Sequence, residues 1–279
     1  MIFDPLEPQG SEPGVLTVSI AAKDVMSLRQ KTGLGMMDCK EALKATDGDM
    51  TAAEEWIRKK RKGKMDKRTE RTTGEGRIGI HIDGDAAVIV EIKTETDFTA
   101  KNEDFVSMVD SICKIAMGHP AGDIAVNDDI QKLVDDVRIK TGENANYTRG
   151  QKFEGGSYGS YVHHDGKRAC LLRVEGTVPD DVLKGICQHI VFHDPDAIGP
   201  DDVSEEQLDQ IRNKGLAEAK ESGKNDEIAG KIAEGKVRKF LEENTLIKQK
   251  YVLDETKTIE ELLPADAKIT HFVRYTLGG

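Results

Sequence analysis

Three groupings in this sequence have the residue types and spacing of chemistry. His189 and His193 stand four apart in a helical pattern, the spacing at which one helix face can offer two imidazoles to a metal. A zinc site needs further ligands, and Cys187 falls on a different helix face from His189. Two partly buried histidines packing the helix is the better reading. Gly74-Glu75-Gly76-Arg77-Ile78-Gly79 spells G-x-G-x-x-G. In a dinucleotide fold that motif follows a strand and opens a helix; here it follows a basic linker and enters a hairpin. The V-A-I-K, H-R-D and D-F-G motifs that accompany a kinase glycine loop are absent. Cys39 lies on an apolar helix face, where it reads as a small core residue and not a nucleophile. No paired carboxylates and no Ser-His-Asp arrangement stand out.

A fourth grouping is of another kind. Thr94-Glu95-Thr96-Asp97-Phe98 follows a strand pattern (Val88, Val90, Ile92) and precedes a helix pattern (Phe105, Val106, Met108, Val109, Ile112, Cys113). An Asp-Phe pair is thereby expected on the intervening loop. Such a pair suits insertion into another protein, because a few buried aromatics dominate many interfaces. On pattern alone the plainer reading, a strand-end turn with Phe98 folded back into its own core, is favoured.

The elements around these residues begin with three short helices. The first starts near Asp24, with Val25 and Leu28 apolar and a stop at Gly33. The second runs from about Met36 to Ala45 and ends at Asp47-Gly48. The third is capped by Asp49 and aligns Met50, Ala53, Trp56 and Ile57. A basic run follows, Arg58 to Lys62 with Lys64, Lys67, Arg68 and Arg71. It lacks interleaved aromatics for base stacking and reads as a solvated helix end and linker. From Arg77 the period becomes two: Ile78, Ile80 and Ile82, a turn at Asp83-Gly84, then Val88, Val90 and Ile92. A second hairpin-then-helix follows about eighty residues later (Tyr158 to His163, a turn at Asp165-Gly166, Cys170, Leu172 and Val174, then Val182 to Val191). Ser204-Glu205-Glu206-Gln207 has capping-box form and opens a helical hairpin with thin apolar stripes. The tail, Ile269 to Tyr275, returns to strand character.

These patterns give an α+β fold: a three-helix bundle, a duplicated hairpin-plus-helix core with antiparallel sheets, and an inserted antiparallel helical arm. The expected boundaries are a leader at 1–20, the bundle at 21–62, a basic linker at 63–76, one core subdomain at 77–150, a second at 151–200 with 242–279, and the arm at 201–241. Charged residues make up 33% of the chain and mean hydropathy is −0.51, so no membrane span is expected. The first twenty residues have no basic n-region, against a secretory signal. Four scattered cysteines without a CxxC pair suit free thiols in a reducing cytoplasm. A net charge of −11 argues against broad nucleic-acid binding.

Leu28-Arg29-Gln30-Lys31-Thr32-Gly33-Leu34-Gly35-Met36-Met37-Asp38-Cys39-Lys40-Glu41-Ala42-Leu43 closely resembles the N-terminal signature of the elongation factor Ts family, L-R-x-x-T-G-x-G-M-M-D-C-K-x-A-L. Thr96-Asp97-Phe98 with Ala100-Lys101 resembles the family's T-D-F-V-A-K motif. Gly142-Glu143-Asn144, Gly159-Ser160-Tyr161 with His163, Glu227-Ile228-Ala229 through Glu234-Gly235, and Lys257-Thr258 near Leu262-Leu263 match in family order, over roughly residues 24–275.

The resemblance implies a guanine-nucleotide exchange factor, with no bond chemistry and no cofactor of its own. Its partner would be elongation factor Tu, GDP-bound and nucleotide-free, with no direct nucleic-acid or membrane partner. The bundle would be ubiquitin-associated-like and dock through Arg29, Met36, Met37 and Lys40. Asp97 and Phe98 would intrude beside the partner's Mg²⁺, with Thr96 and Thr99 completing the motif. His163 would press toward the partner's phosphate loop, and Thr141 would add a contact. The arm would either pair two copies, as in some relatives, or touch only the GTPase.

Three departures qualify the match. Thr99 replaces the usual Val, Thr141 stands where an apolar residue is common, and the chain stops at Gly279 without a longer C-terminal helical module. Two rival readings are a binding adaptor built on residues 24–62, and an enzyme built on Gly74–Gly79 or His189/His193. Motif order disfavours the first, and missing partner motifs disfavour the second.

Overall fold

A computed structural model describes residues 20–278, so the leader expected at 1–20 lies, but for Ile20, outside the described residues. The chain divides into two compact units, with the boundary between Lys67 and Arg68.

The first unit is three helices around one small core: α1 (Ala22–Thr32), α2 (Met36–Ala45) and α3 (Met50–Asp66). Gly33 ends α1 at φ 69°, a left-handed cap that glycine adopts without a Cβ penalty. The Asp49 carboxylate caps α3 by accepting the Ala52 amide at 2.9 Å. Leu28, Cys39, Ala42, Leu43 and Ala53 are fully buried between the helices. The basic run differs from expectation: it is helical through Asp66, not a helix end at 62 followed by linker. Arg61 pairs with Asp38 at 2.5 Å, Lys60 pairs with Glu41, and Lys60 also sits 4.6 Å over the Trp56 ring. Part of that positive charge is thus spent against α2.

The second unit repeats one plan twice. In the first half, β1 (Glu75–Asp83) and β2 (Ala86–Thr94) form a hairpin. It is followed by α4 (Asp97–Lys101), α5 (Glu103–Ala116), the two-residue β3 (Gly122–Asp123) and α6 (Asp128–Thr141). Strand β4 (Ala145–Glu154) then returns antiparallel beside β2, giving the order β1-β2-β4-β3. In the second half, β5 (Ser157–Val162) and β6 (Arg168–Glu175) form the hairpin, α7 (Asp180–His193) follows, and the last strand returns beside β6.

Between α7 and that strand lie α8 (Glu205–Glu221), α9 (Asp226–Asn244) and a small ladder of β7 (Lys250–Tyr251) and β8 (Asp254–Thr258). The closing strand is β9 (Lys268–Thr276). Both middle strands carry a bulge, β2 at Glu91/Ile92 and β6 at Arg173/Val174. The duplication read from pattern is therefore a structural one.

Alternation along β2 and β6 builds the layers. Val88, Val90 and Ile92 face α5 and α6, whereas Ala87 and Ile89 pack with Ala169, Leu171 and Tyr275 of the second sheet. Cys170, Leu172 and Val174 point the other way, onto Ile186, Cys187 and Ile190 of α7. Helices, sheet, sheet and helix thus stack in four layers, with both middle strands buried on both faces.

The α8–α9 pair is an antiparallel hairpin. The Ser204 hydroxyl caps α8 by accepting the Gln207 amide at 3.3 Å. Arg212 pairs with Glu234 at 2.7 Å and Lys236 pairs with Glu218. A Cβ on Gly215 would lie 3.0 Å from Cα of Ala233, so the two backbones meet closely there. Among the described residues no helix is long and apolar enough to cross a membrane.

Candidate functional site

The Thr94–Phe98 stretch is not a loop with its ring tucked in. Asp97 and Phe98 open the short helix α4, and Phe98 is 82% exposed. Helical spacing explains the direction. Thr99 and Ala100 are buried at 7% and 5% exposure, so Phe98 is carried onto the outer side of the turn. Burying such a ring fully is worth about 1.5–3 kcal/mol, a gain that the fold of this chain does not take.

The turn is held from behind. Thr96 is the N-cap of α4; its hydroxyl accepts the Thr99 amide at 3.3 Å and donates to Glu143 Oε1 at 2.8 Å. Glu143 also accepts the Thr96 amide at 3.1 Å. Thr94 is buried and donates to the Asn144 carbonyl at 3.1 Å, and Glu95 accepts the Asn144 amide at 2.7 Å. The Asn144 side chain donates to the Thr69 and Arg71 carbonyls, and Arg68 donates to the Gly142 carbonyl at 2.9 Å. Three segments, 68–71, 94–96 and 142–144, are thereby laced together beneath the exposed ring.

Asp97 sits at the N-terminal turn, where a negative charge suits the helix dipole. The hydrogen bond from Lys101, 2.7 Å away, holds its carboxyl below the usual range, and the charges of Lys101 and Lys167 add to that. Lys167 belongs to the second hairpin. It pairs with Glu75 at 2.5 Å, and next to it Gly166 accepts the Ile78 amide at 2.9 Å. The turn that carries His163 is thus docked on the start of β1. His163 is half-buried, with Nδ1 2.9 Å from the Tyr161 hydroxyl.

On the separate bundle, Arg29 and Lys40 are exposed, as are Met36 and Met37 at 47% and 79%. Exposed methionines are adaptable contact surface. Thr141 turns its hydroxyl onto its own helix: it donates to the Val137 carbonyl at 2.8 Å and accepts the Glu143 amide at 3.3 Å.

The tempting chemistry dissolves. His189 is fully buried, not partly, and both ring nitrogens are engaged, by Gln249 at 2.9 Å and the Val252 amide at 3.2 Å. His193 is exposed. In the glycine string, a Cβ on Gly76 would meet the Ile92 carbonyl oxygen at 2.2 Å, and one on Gly79 would meet Val109 at 2.5 Å and Cys113 at 2.8 Å. Gly159 occupies the matching place in the second hairpin, 2.9 Å from Leu183 and 3.2 Å from Cys187. Gly76 lets the two hairpin strands meet closely, and Gly79 lets helix approach sheet. All four cysteines are buried, and burial pushes the Cys113 thiol up to about 12, so it is no thiolate at neutral pH.

Glu143, Asn144 and Glu95 brace the turn, a role that local pattern does not assign to them. The usable signal was the polar trio Gly142-Glu143-Asn144 directly after a helix-ending glycine position.

A family model described as elongation factor TS matches residues 95–279. Elongation factor Ts of Hydrogenovibrio crunogenus is 38% identical over 94% of this chain and 92% of its own length. The proteins of that name from Alkalilimnicola ehrlichii and Limosilactobacillus reuteri are each 35% identical, over 94% and 93% of this chain and 93% and 92% of theirs. With similarity running through both the bundle and the duplicated core, this chain belongs to the elongation factor Ts family of translation elongation factors, which act in nucleotide exchange and perform no bond chemistry.

Proposed function

We propose that this chain binds elongation factor Tu in its GDP form and speeds GDP release by inserting Phe98 between elements that organise the partner's Mg²⁺ site. The observation that carries the reading is an 82%-exposed phenylalanine on a turn braced by Thr96, Glu143 and Asn144. GDP in such GTPases is held by backbone amides of the phosphate loop, a lysine and Mg²⁺. Shifting the elements around the metal removes the largest charge balancing the phosphates. Asp97, ionised at neutral pH, disturbs the polar network there, and His163 presses toward the phosphate loop from the turn docked on β1. Thr96 and Thr99 hold the motif, one as cap and one as a buried anchor.

The bundle, as a ubiquitin-associated-like module, supplies a second contact through Arg29, Met36, Met37 and Lys40, with Thr141 flanking the core contact. The α8–α9 arm either pairs two copies or adds partner surface. The chain works in the cytoplasm without nucleic acid. The partner complex favours the nucleotide-free state, and by linkage GDP weakens the complex by the same factor that the complex weakens GDP. Release of fluorescent GDP from elongation factor Tu tests this: acceleration by the wild type is the expected result, and no acceleration with a cognate partner refutes the exchange reading.

A further inference from the structure

The turn between β5 and β6 carries His163, His164 and Asp165 in succession, and one donor atom from each lies within 4.8 Å of the others. Two imidazoles and a carboxylate with a fourth position open are a donor set that binds zinc. Bonds of about 2.0–2.1 Å put tetrahedral donors about 3.3 Å apart, so rotamer changes of about 1.5 Å at most would close the set. We infer that this turn is a site for one divalent cation of the zinc class.

The backbone of the turn is already fixed. The His163 amide donates to the Arg168 carbonyl and the Gly166 amide to the His163 carbonyl, both at 2.8 Å. The Lys167 amide donates to Asp165 Oδ1 at 2.8 Å. Nδ1 of His163 lies 2.9 Å from the Tyr161 hydroxyl, which orients the ring; with that hydroxyl accepting from Nδ1–H, Nε2 is the nitrogen left to ligate, the arrangement by which outer groups fix a ligating histidine. Arg168, 3.5 Å from Asp165, and Arg77, packed against Gly166, oppose a cation. Imidazole donors therefore have to carry the affinity, which favours zinc, cobalt or nickel over magnesium or calcium. The His189/His193 pair is no competitor, because both nitrogens of His189 are taken.

An ion seated there covers the ligating edge of the His163 ring. If the exchange reading holds, ion and partner compete for that edge; this corollary rests on that reading, and the site itself does not.

The test uses the full chain, titrated with Zn²⁺ by calorimetry and with Co²⁺ by visible absorption. One site per chain is expected. His164→Ala and Asp165→Asn should each weaken it roughly tenfold or more, with circular dichroism unchanged, and His193→Ala should leave it alone. Absence of saturable one-to-one binding, indifference to His164→Ala, or loss with His193→Ala would overturn the site. In the GDP-release assay, Zn²⁺ should slow the wild type more than His164→Ala. Equal slowing overturns the corollary, whereas a wild type that never accelerates release refutes the exchange reading and leaves the calorimetric result standing.

Discussion

Thr96 Oγ1 lies 2.8 Å from Glu143 Oε1, across 47 residues of sequence, and the same hydroxyl caps the helix that points Phe98 outward. One carboxylate thus sets the bearing of the exposed ring. Its removal should loosen the turn without dismantling the core.

Glu143→Ala leaves the Thr96 amide and hydroxyl without their acceptor, while the Thr94 hydroxyl keeps the Asn144 carbonyl. Partly buried donors left unpaired cost about 1–3 kcal/mol. Urea unfolding should show a loss in that range, and GDP release promoted by the variant should slow because the ring is no longer held. A variant as stable and as active as wild type would show that the brace is incidental.

Phe98→Ala should behave oppositely. The ring is 82% exposed, so unfolding free energy should stay within about 0.5 kcal/mol of wild type. The Asp97–Lys101 pair is likewise at the surface, and Lys101→Ala should leave the urea midpoint close to that of wild type. A large stability loss in Phe98→Ala would mean that the ring packs against its own chain in solution.

Gly79→Ala and Gly159→Ala place a methyl against Val109 and Cys113, or against Leu183 and Cys187. Overpacking of this kind costs about 1–3 kcal/mol. Both variants should unfold at lower urea, while nucleotide exchange per folded molecule stays near normal. Intact stability would mean that the helix can slide off the sheet at little cost. A nucleotide-binding role for the glycine string would instead appear as nucleotide bound to the purified chain.

His189 gives a pH signature. Burial pushes its imidazole down to about 4, from an ordinary value near 6.5. The folded value is depressed, so below about pH 6.5 the unfolded chain takes up a proton that the folded one refuses. Stability contributed by neutral His189 is complete above that pH and is lost progressively between about 6.5 and 4, by up to about 3 kcal/mol. His189→Gln should flatten this part of the pH–stability curve relative to wild type. Parallel curves would show that His189 is not the group responsible.

Much of the fold was legible because local rules agreed with tertiary needs. Gly33, Asp49 and Ser204 mark helix ends with residues whose chemistry suits those positions, and Val88, Val90 and Ile92 alternate because one face meets α5 and α6. Helix α6 went unread because its inward face includes Asp135 and Arg138, buried and paired at 3.0 Å, which break the apolar stripe. Strand β4 went unread for a similar reason: Lys152 is buried and donates to the His119 carbonyl at 2.8 Å, so the alternation looks polar. Phe98 was the sharpest case. Its outward direction depends on Thr99 and Ala100 turning inward and on Glu143 holding the Thr96 cap from a distance, and no local pattern encodes a contact 47 residues away.

The most direct measurement is release of fluorescent GDP from elongation factor Tu in the presence of wild type and of Asp97→Ala/Phe98→Ala. The intruding-turn account requires strong acceleration by the wild type and a large loss in the double variant at unchanged stability. Undiminished acceleration by the double variant would contradict it, moving the cause of exchange to His163 or to the bundle.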